Sequence, residues 1–256
     1  AFTNIENFQG SSGGDTLRET NGDDAISITA NNTGTLNGVT FSGIETIDAG
    51  AGNDGVAIAS TGSLDGNLEG GTGTDSLDYS TYTTDVVVNL DNNTATATGG
   101  LSNFEQVTGG SGNNDTLTGT NNNDTVTITG SNAGSINTLN FIGIENHEGG
   151  AGDDTFIFTN GASLTGTLTG GTGSDTADYS AYITDITIDL QTNSATGTRG
   201  VSTLESFIGG SGSDTFRLSA ANPADFIDGG AGSNTLLGDD VASVWNLTAV
   251  DTGSGT

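Results

Sequence analysis

Cysteine, lysine and methionine are absent from the 256 residues, and proline, tryptophan and histidine occur once each. Without cysteine there is neither a disulfide framework nor a thiolate metal site, so cysteine usage leaves the redox compartment open. Three arginines (Arg18, Arg199, Arg217) face 32 acidic residues, for a formal charge of −29. A surface so short of cations neither releases counterions from nucleic acid nor is drawn to anionic lipid, which excludes both as partners. No stretch approaches the roughly 18 apolar residues of a membrane-spanning helix, so no membrane insertion is expected. The first residues, Ala1-Phe2-Thr3-Asn4, lack the basic and apolar regions of a secretion signal, which is expected to lie elsewhere. Hydrophobic residues make up only 31%, too few for a thick two-layer core, and a thin stacked core is expected instead.

What fills the chain is glycine, at 43 positions, together with Asn, Thr, Ser and Asp. Twenty-four of the 32 acids are Asp, most of them in glycine-rich turns. Their mutual repulsion opposes compaction unless bound cations offset it, and oxygen-rich turns suit a hard cation such as calcium. Only extracellular fluid or a secretory space holds enough calcium for weak sites, which points outside the cell.

Repeats organise the sequence. Gly43-Ile44-Glu45 recurs as Gly143-Ile144-Glu145, and Asp78-Tyr79-Ser80-Thr81-Tyr82 as Asp178-Tyr179-Ser180-Ala181-Tyr182, a period of about 100 residues. Ile5-Glu6, Phe104-Glu105 and Leu204-Glu205 extend the series. Glycine turns begin at Gln9, Ala49, Gly70, Gly109, Gly149, Gly170, Gly209 and Gly229, spaced by 40, 21, 39, 40, 21, 39 and 20. Polar turns at Asn31-Asn32, Asp91-Asn92-Asn93, Ser131-Asn132 and Thr192-Asn193 occupy the gaps, which implies a coil of about 20 residues. Between turns, segments such as Ile26-Ser27-Ile28 and Ile186-Thr187-Ile188-Asp189-Leu190 alternate with period two and read as half-buried strands. No window sustains a helical apolar pattern, and the density of Gly and Thr opposes helix.

The expected fold is therefore all-β: a right-handed parallel β-solenoid, of β-roll or β-helix type, with about 13 coils of ~20 residues and a length on the order of 60 Å. Residues 1–256 form one continuous solenoid of ~100-residue repeats (about 1–100, 101–200 and a partial 201–256). Val244-Trp245-Asn246-Leu247-Thr248 parallels residues 124–129, after which the earlier copies continue through Phe41 and Phe141. The sequence thus reads as an excerpt of a longer array, with neither terminus resembling a cap.

The turns Gly149-Gly150-Ala151-Gly152-Asp153-Asp154-Thr155-Phe156, Gly170-Gly171-Thr172-Gly173-Ser174-Asp175-Thr176-Ala177 and Gly209-Gly210-Ser211-Gly212-Ser213-Asp214-Thr215-Phe216 follow the nonapeptide pattern G-G-x-G-x-D-x-U-x, U being apolar. The chain therefore resembles the RTX, or hemolysin-type, calcium-binding repeats of giant secreted bacterial proteins and surface adhesins, in diverged form. In such turns glycines permit positive φ and close approach of carbonyl oxygens, the sixth-position Asp adds a carboxylate, and the eighth residue enters the interior. The resemblance implies calcium between turns stacked one coil apart. It assigns Asp54 with Asp75, Asp154 with Asp175, and Asp214, with the turn backbones of Gly50, Gly52, Gly70, Gly71, Gly73, Gly149, Gly150, Gly152, Gly170, Gly171, Gly173, Gly209, Gly210, Gly212, Gly229, Gly230 and Gly232. Ala49 departs at the first position, Asn234 replaces an Asp, and the turn at Gly109 has an extra residue before Asp115. Asp15 keeps its place in a degenerate turn. Asp24 and Asp124, nine residues beyond Asp15 and Asp115, fit half-motifs on the opposite edge.

Other candidates are weaker. His147 reads as a lone surface residue, since no second His or Cys completes a site. The four tyrosines could form a sugar-stacking platform, but packing over a coil edge explains their recurrence better. A β-helix polysaccharide enzyme would need more cationic groups for acidic sugars. Paired threonines do not recur at one place on most coils, as an ice-binding face would require. The sequence thus predicts a non-enzymatic, calcium-stabilised extracellular stalk, matrix or filament module, with further copies of itself as partners. The alternative is a glycan-binding module.

Overall fold

In the computed structural model, which describes residues 5–19 and 21–239, the chain is all-β with no helix among the described residues. Short strands alternate between two facing layers. The first layer is one 14-stranded sheet in the order β1 (Asn7–Gln9), β5 (Val39–Ser42), β4 (Thr33–Leu36), β3 (Ala25–Ala30), β7 (Gly55–Ile58), β9 (Ser76–Asp78), β13 (Gln106–Thr108), β17 (Leu139–Ile142), β16 (Ala133–Ile136), β15 (Thr125–Gly130), β19 (Thr155–Phe158), β21 (Thr176–Asp178), β25 (Ser206–Ile208) and β27 (Phe226–Asp228). The second layer holds three sheets. They run β2 (Thr16–Arg18), β6 (Thr46–Asp48), β8 (Asn67–Glu69), β12 (Gly100–Ser102); then β11 (Thr94–Ala95), β10 (Val87–Asn89), β14 (Thr116–Thr118), β18 (Asn146–Ala151), β20 (Thr167–Thr172), β24 (Gly200–Ser202); then β23 (Ser194–Ala195), β22 (Thr187–Asp189), β26 (Thr215–Arg217), β28 (Thr235–Leu237).

The expectation of a mostly parallel β-roll is borne out, but its winding is less regular than a 20-residue coil. Stacked strands are offset by 20 or 21 residues in places, as between Gly55 and Ser76 or Phe216 and Leu236. Elsewhere the offset is 30, as between Ala25 and Gly55, or 34, as between Gln106 and Asn140. The extra length goes into excursions where the chain doubles back antiparallel, β3–β4–β5 and β15–β16–β17 in the first layer, and β10–β11 and β22–β23 in the second. The polar turns read as roll corners are instead the points of reversal. Asn32, Asn93, Asn132 and Asn193 sit there with φ of 52–53°, a left-handed conformation that Asn tolerates because its short amide can bond locally. The segment around Trp245 lies outside the described residues.

Period-two alternation places every second side chain between the layers. Ile26, Ile28, Val56, Leu77, Val126, Ile128 and Phe156 are buried from the first layer, and Ile47, Leu68, Val88, Leu117 and Leu168 from the second. Burying such side chains contributes about 1.5–3 kcal/mol each, so a thin core suffices when every rung supplies one or two. One sequence expectation, the surface placement of His147, fails here. His147 is buried rather than surface, paired in register with Leu117 and Leu168 and with its ring 4.3 Å from that of Phe141 across the core. Tyr79, Tyr179 and Tyr182 are buried too, their hydroxyls donating to the carbonyls of Thr96, Thr196 and Ala162. They are anchors, and no sugar-stacking face is built from them.

Candidate metal centre

Each rung has two corners, one where the chain passes from the second layer to the first and one where it returns. The Ala49, Gly70, Gly149 and Gly170 turns lie on the first edge, joining β6 to β7, β8 to β9, β18 to β19 and β20 to β21. Asp24 and Asp124, ahead of β3 and β15, lie on this edge as well. The Gln9, Gly109, Gly209 and Gly229 turns lie on the other. The third sequence-assigned pair, at Gly209 and Gly229, is thus stacked one coil apart but on the opposite edge from the other two.

Corner acids form ladders. One carboxylate oxygen accepts the backbone N–H of the corner on the preceding rung: Asp24 N to Asp54 Oδ1 and Asp54 N to Asp75 Oδ1, both 2.8 Å, then Asp75 N to Glu105 Oε2 at 2.7 Å. A hundred residues on, Asp124, Asp154, Asp175 and Glu205 repeat the pattern at 2.8, 2.8 and 2.9 Å. On the other edge Asp15 N meets Glu45, Asp115 N meets Glu145 and Asp214 N meets Asn234. Glu45, Glu105, Glu145 and Glu205 of the recurring apolar-Glu pairs are therefore corner caps, a role that sequence reading missed. Its signal was there, each of these Glu lying 30 residues after a corner Asp. A second ladder of opposite direction runs through the fifth positions, Asn53 N to Asp23, Thr74 N to Asn53, Asp153 N to Asn123 and Ser174 N to Asp153.

The second carboxylate oxygen separates the corners into two kinds. In Asp15, Asp115, Asp124 and Asp214 it accepts an N–H from its own turn, that of Ser11, Gly110, Thr120 and Gly210 respectively, at 2.5–2.9 Å. In Asp54, Asp75, Asp154 and Asp175 it is buried with no hydrogen-bond partner, although these residues are at most 1% exposed. Backbone conformation explains the difference. In these four turns the second glycine has positive φ (Gly50 91°, Gly71 106°, Gly150 110°, Gly171 121°), which swings its N–H away from the carboxylate. Only glycine takes this conformation without steric cost. The first position does not separate the two kinds: a Cβ at Gly70 or Gly170 would stand 2.9 or 2.5 Å from Oδ2 of Asp75 or Asp175, and one at Gly109 or Gly209 would stand 2.8 or 2.6 Å from that of Asp115 or Asp214.

A buried carboxylate oxygen with no donor costs several kcal/mol unless a proton or cation meets it. Burial pushes all four carboxyls above the usual range, Asp154 to about 6, with the charges of Asp175, Asp124 and Asp153 adding to the effect. Asp115 is also raised by burial, against the lowering effect of its two backbone bonds. Among the described residues no group of three or more acidic or imidazole side chains gathers as a metal cage. A cation here would take carboxylate oxygens from two neighbouring rungs, supplemented by main-chain oxygens, a hard donor set that fits calcium. Asp54 with Asp75 and Asp154 with Asp175 fit. Asp115, Asp124 and Asp214 have both oxygens engaged, Asp15 has one taken by the Ser11 N–H and hydroxyl, and Asp24 accepts from the amide of Asn37 at 2.5 Å.

A parallel β-roll with acidic glycine corners defines the class of the protein, a stacked repeat module. Residues 66–168, 103 of the 256, match the family model described as Peptidase M10 serralysin C terminal, the RTX-type calcium-binding repeat region of serralysin-like proteins. The resemblance read from the turns is thereby borne out over that span. No curated protein matches the chain.

Proposed function

We propose that the chain is a non-catalytic, calcium-stabilised repeat module of a secreted or cell-surface protein, acting as a rigid spacer in a stalk or matrix. The observation that carries this reading is the set of four buried, donorless oxygens, which fall in pairs on successive rungs of one edge. Calcium there joins adjacent rungs and offsets part of the −29 charge. Extracellular placement is supported by the secreted character of serralysin-type repeat domains. With ~4.8 Å between strands, the 14-stranded sheet spans roughly 60 Å. The absence of exchangeable imidazole supports a non-enzymatic role: His147 is sealed in the core, and burial lowers its pKa to about 3. The glycan alternative loses its tyrosine surface and keeps only an acidic face.

Thermal unfolding in calcium and in chelator tests the proposal. A ligand at 100 times its Kd adds about 2.7 kcal/mol per site, so the midpoint rises clearly with calcium and little with magnesium, which keeps its waters and demands octahedral geometry. Equal midpoints with calcium and chelator would remove calcium from the account.

A further inference from the structure

Beneath the seam in the second layer, where β12 and β11 lie side by side without a shared ladder, is a cavity of about 240 Å³. Its walls are apolar, with Leu77, Val88, Val107 and Ile136 at the back and Leu90, Leu101 and Phe104 at the mouth. The rim is formed by neutral amides, among them Asn89, Asn93 and Asn103, and no charged side chain lines it. In a chain of charge −29 that is an exceptional environment.

The second repeat supplies a comparison within the same molecule. Leu190, Val201 and Leu204, counterparts of Leu90, Leu101 and Phe104, are fully buried, whereas the first set is partly open. What differs is the chain that follows. After β26 the chain runs through residues 218–225 to β27 with no antiparallel excursion, and Leu218 and Ala224 pack against the core. In that segment the Asn222 amide donates to Asn193 Oδ1 at 3.3 Å, and Leu218 O accepts from Gln191 at 3.1 Å. After β14, by contrast, the chain departs into β15–β17, whose turn at residues 136–139 lines the cavity without filling it. Among the described residues Asn93, the counterpart of Asn193, is exposed and makes no side-chain hydrogen bond.

We propose that this cavity binds a small uncharged amphiphile, an apolar body of about six to eight heavy atoms carrying one hydroxyl or amide donor that bonds Asn93 Oδ1. The second repeat meets the same need with its own chain, an amide donor on Asn193 beside apolar side chains. An anion is disfavoured by the acidic surroundings and a cation by the lack of a carboxylate in the wall. Size is sufficient, since an apolar cavity of about 150 Å³ accommodates benzene.

Methyl NMR titration of the calcium-loaded protein with 1-hexanol, phenol and hexanoate tests the assignment. Expected are saturable shifts at Val88, Leu90, Leu101 and Leu139 with the two neutral probes, at least tenfold weaker effects with hexanoate, and none at Leu190 or Val201. Leu101→Trp fills the space and abolishes the shifts. Asn93→Ala weakens hexanol several-fold while leaving benzene, which has no donor, unchanged. No saturable shift, equal response at the sealed counterparts, or hexanoate binding as well as hexanol would overturn the proposal.

Discussion

At the scale of the residue, two aspartates with the same place in the motif have opposite roles. Asp154 keeps one buried oxygen without a donor, while Asp214 has both engaged, by Ile186 N and Gly210 N. Replacing Asp154 by Asn preserves the acceptor for Asp124 N and removes a buried charge. The metal-free midpoint should hold or rise, and the gain on adding calcium should fall by about half, since one of two columns is lost. Asp214→Asn instead turns an amide donor toward Gly210 N–H, which costs about 1–3 kcal/mol with or without calcium. Calorimetric scans of both variants in calcium and chelator check this. His147 gives a separate test. Its folded pKa, about 3, lies below the ordinary imidazole value of 6.5 because burial penalises the charged form. The unfolded chain therefore binds the proton more readily, and stability is lost as pH falls from about 6.5 toward 3, by up to ~1.4 kcal/mol per unit. His147→Ile, which restores the residue type of Ile47 at the matching position, should remove that slope. The gap between the denaturant midpoints of the two proteins should be constant above about pH 7.5 and widen steadily below 6.5.

At the scale of the element, the turns joining β11 to β12 and β23 to β24 offer a paired experiment. Ala97 takes φ 64° in the first copy, and Gly197 takes φ 76° in the second. A Cβ in that region costs about 1–2 kcal/mol, so Ala97→Gly should stabilise by about 0.5–1 kcal/mol after the extra chain entropy of glycine is counted. Gly197→Ala should destabilise by more, because its Cβ would stand 3.0 Å from Ala162 O and 3.1 Å from the Tyr182 hydroxyl. Urea titrations measure both. Strands and corners were legible in the sequence because alternation and glycine spacing are local signals. The antiparallel excursions were not: Asn31-Asn32 and Ser131-Asn132 look like any polar turn, and only pairing across 30 residues shows that the chain doubles back there. The difference between Asp54 and Asp115 was equally hidden. Gly50 and Gly110 are both glycine, and it is the neighbouring rung that decides the sign of φ: Gly71 stacks on the Gly50 carbonyl, while Gly110 lies against that of Tyr82. His147 was misplaced because a polar residue at an inward position contradicts the alternation that marks inward positions such as Ile26, Ile28, Ile186 and Ile188.

At the scale of the whole molecule, the rungs are joined by backbone ladders along their length, and the acids are concentrated at the two edges. Such a stack depends on each interface between neighbours, and the interfaces at the 21-residue steps leave carboxylate oxygens buried and unmatched. Cations at those steps would tie these interfaces together and make rigidity depend on external calcium. The most direct measurement is anomalous diffraction from crystals grown with calcium and then exchanged into a lanthanide. The account predicts peaks between Asp54 and Asp75 and between Asp154 and Asp175, and none beside Asp115 or Asp214. Peaks confined to the opposite edge, or none on the first, would contradict it.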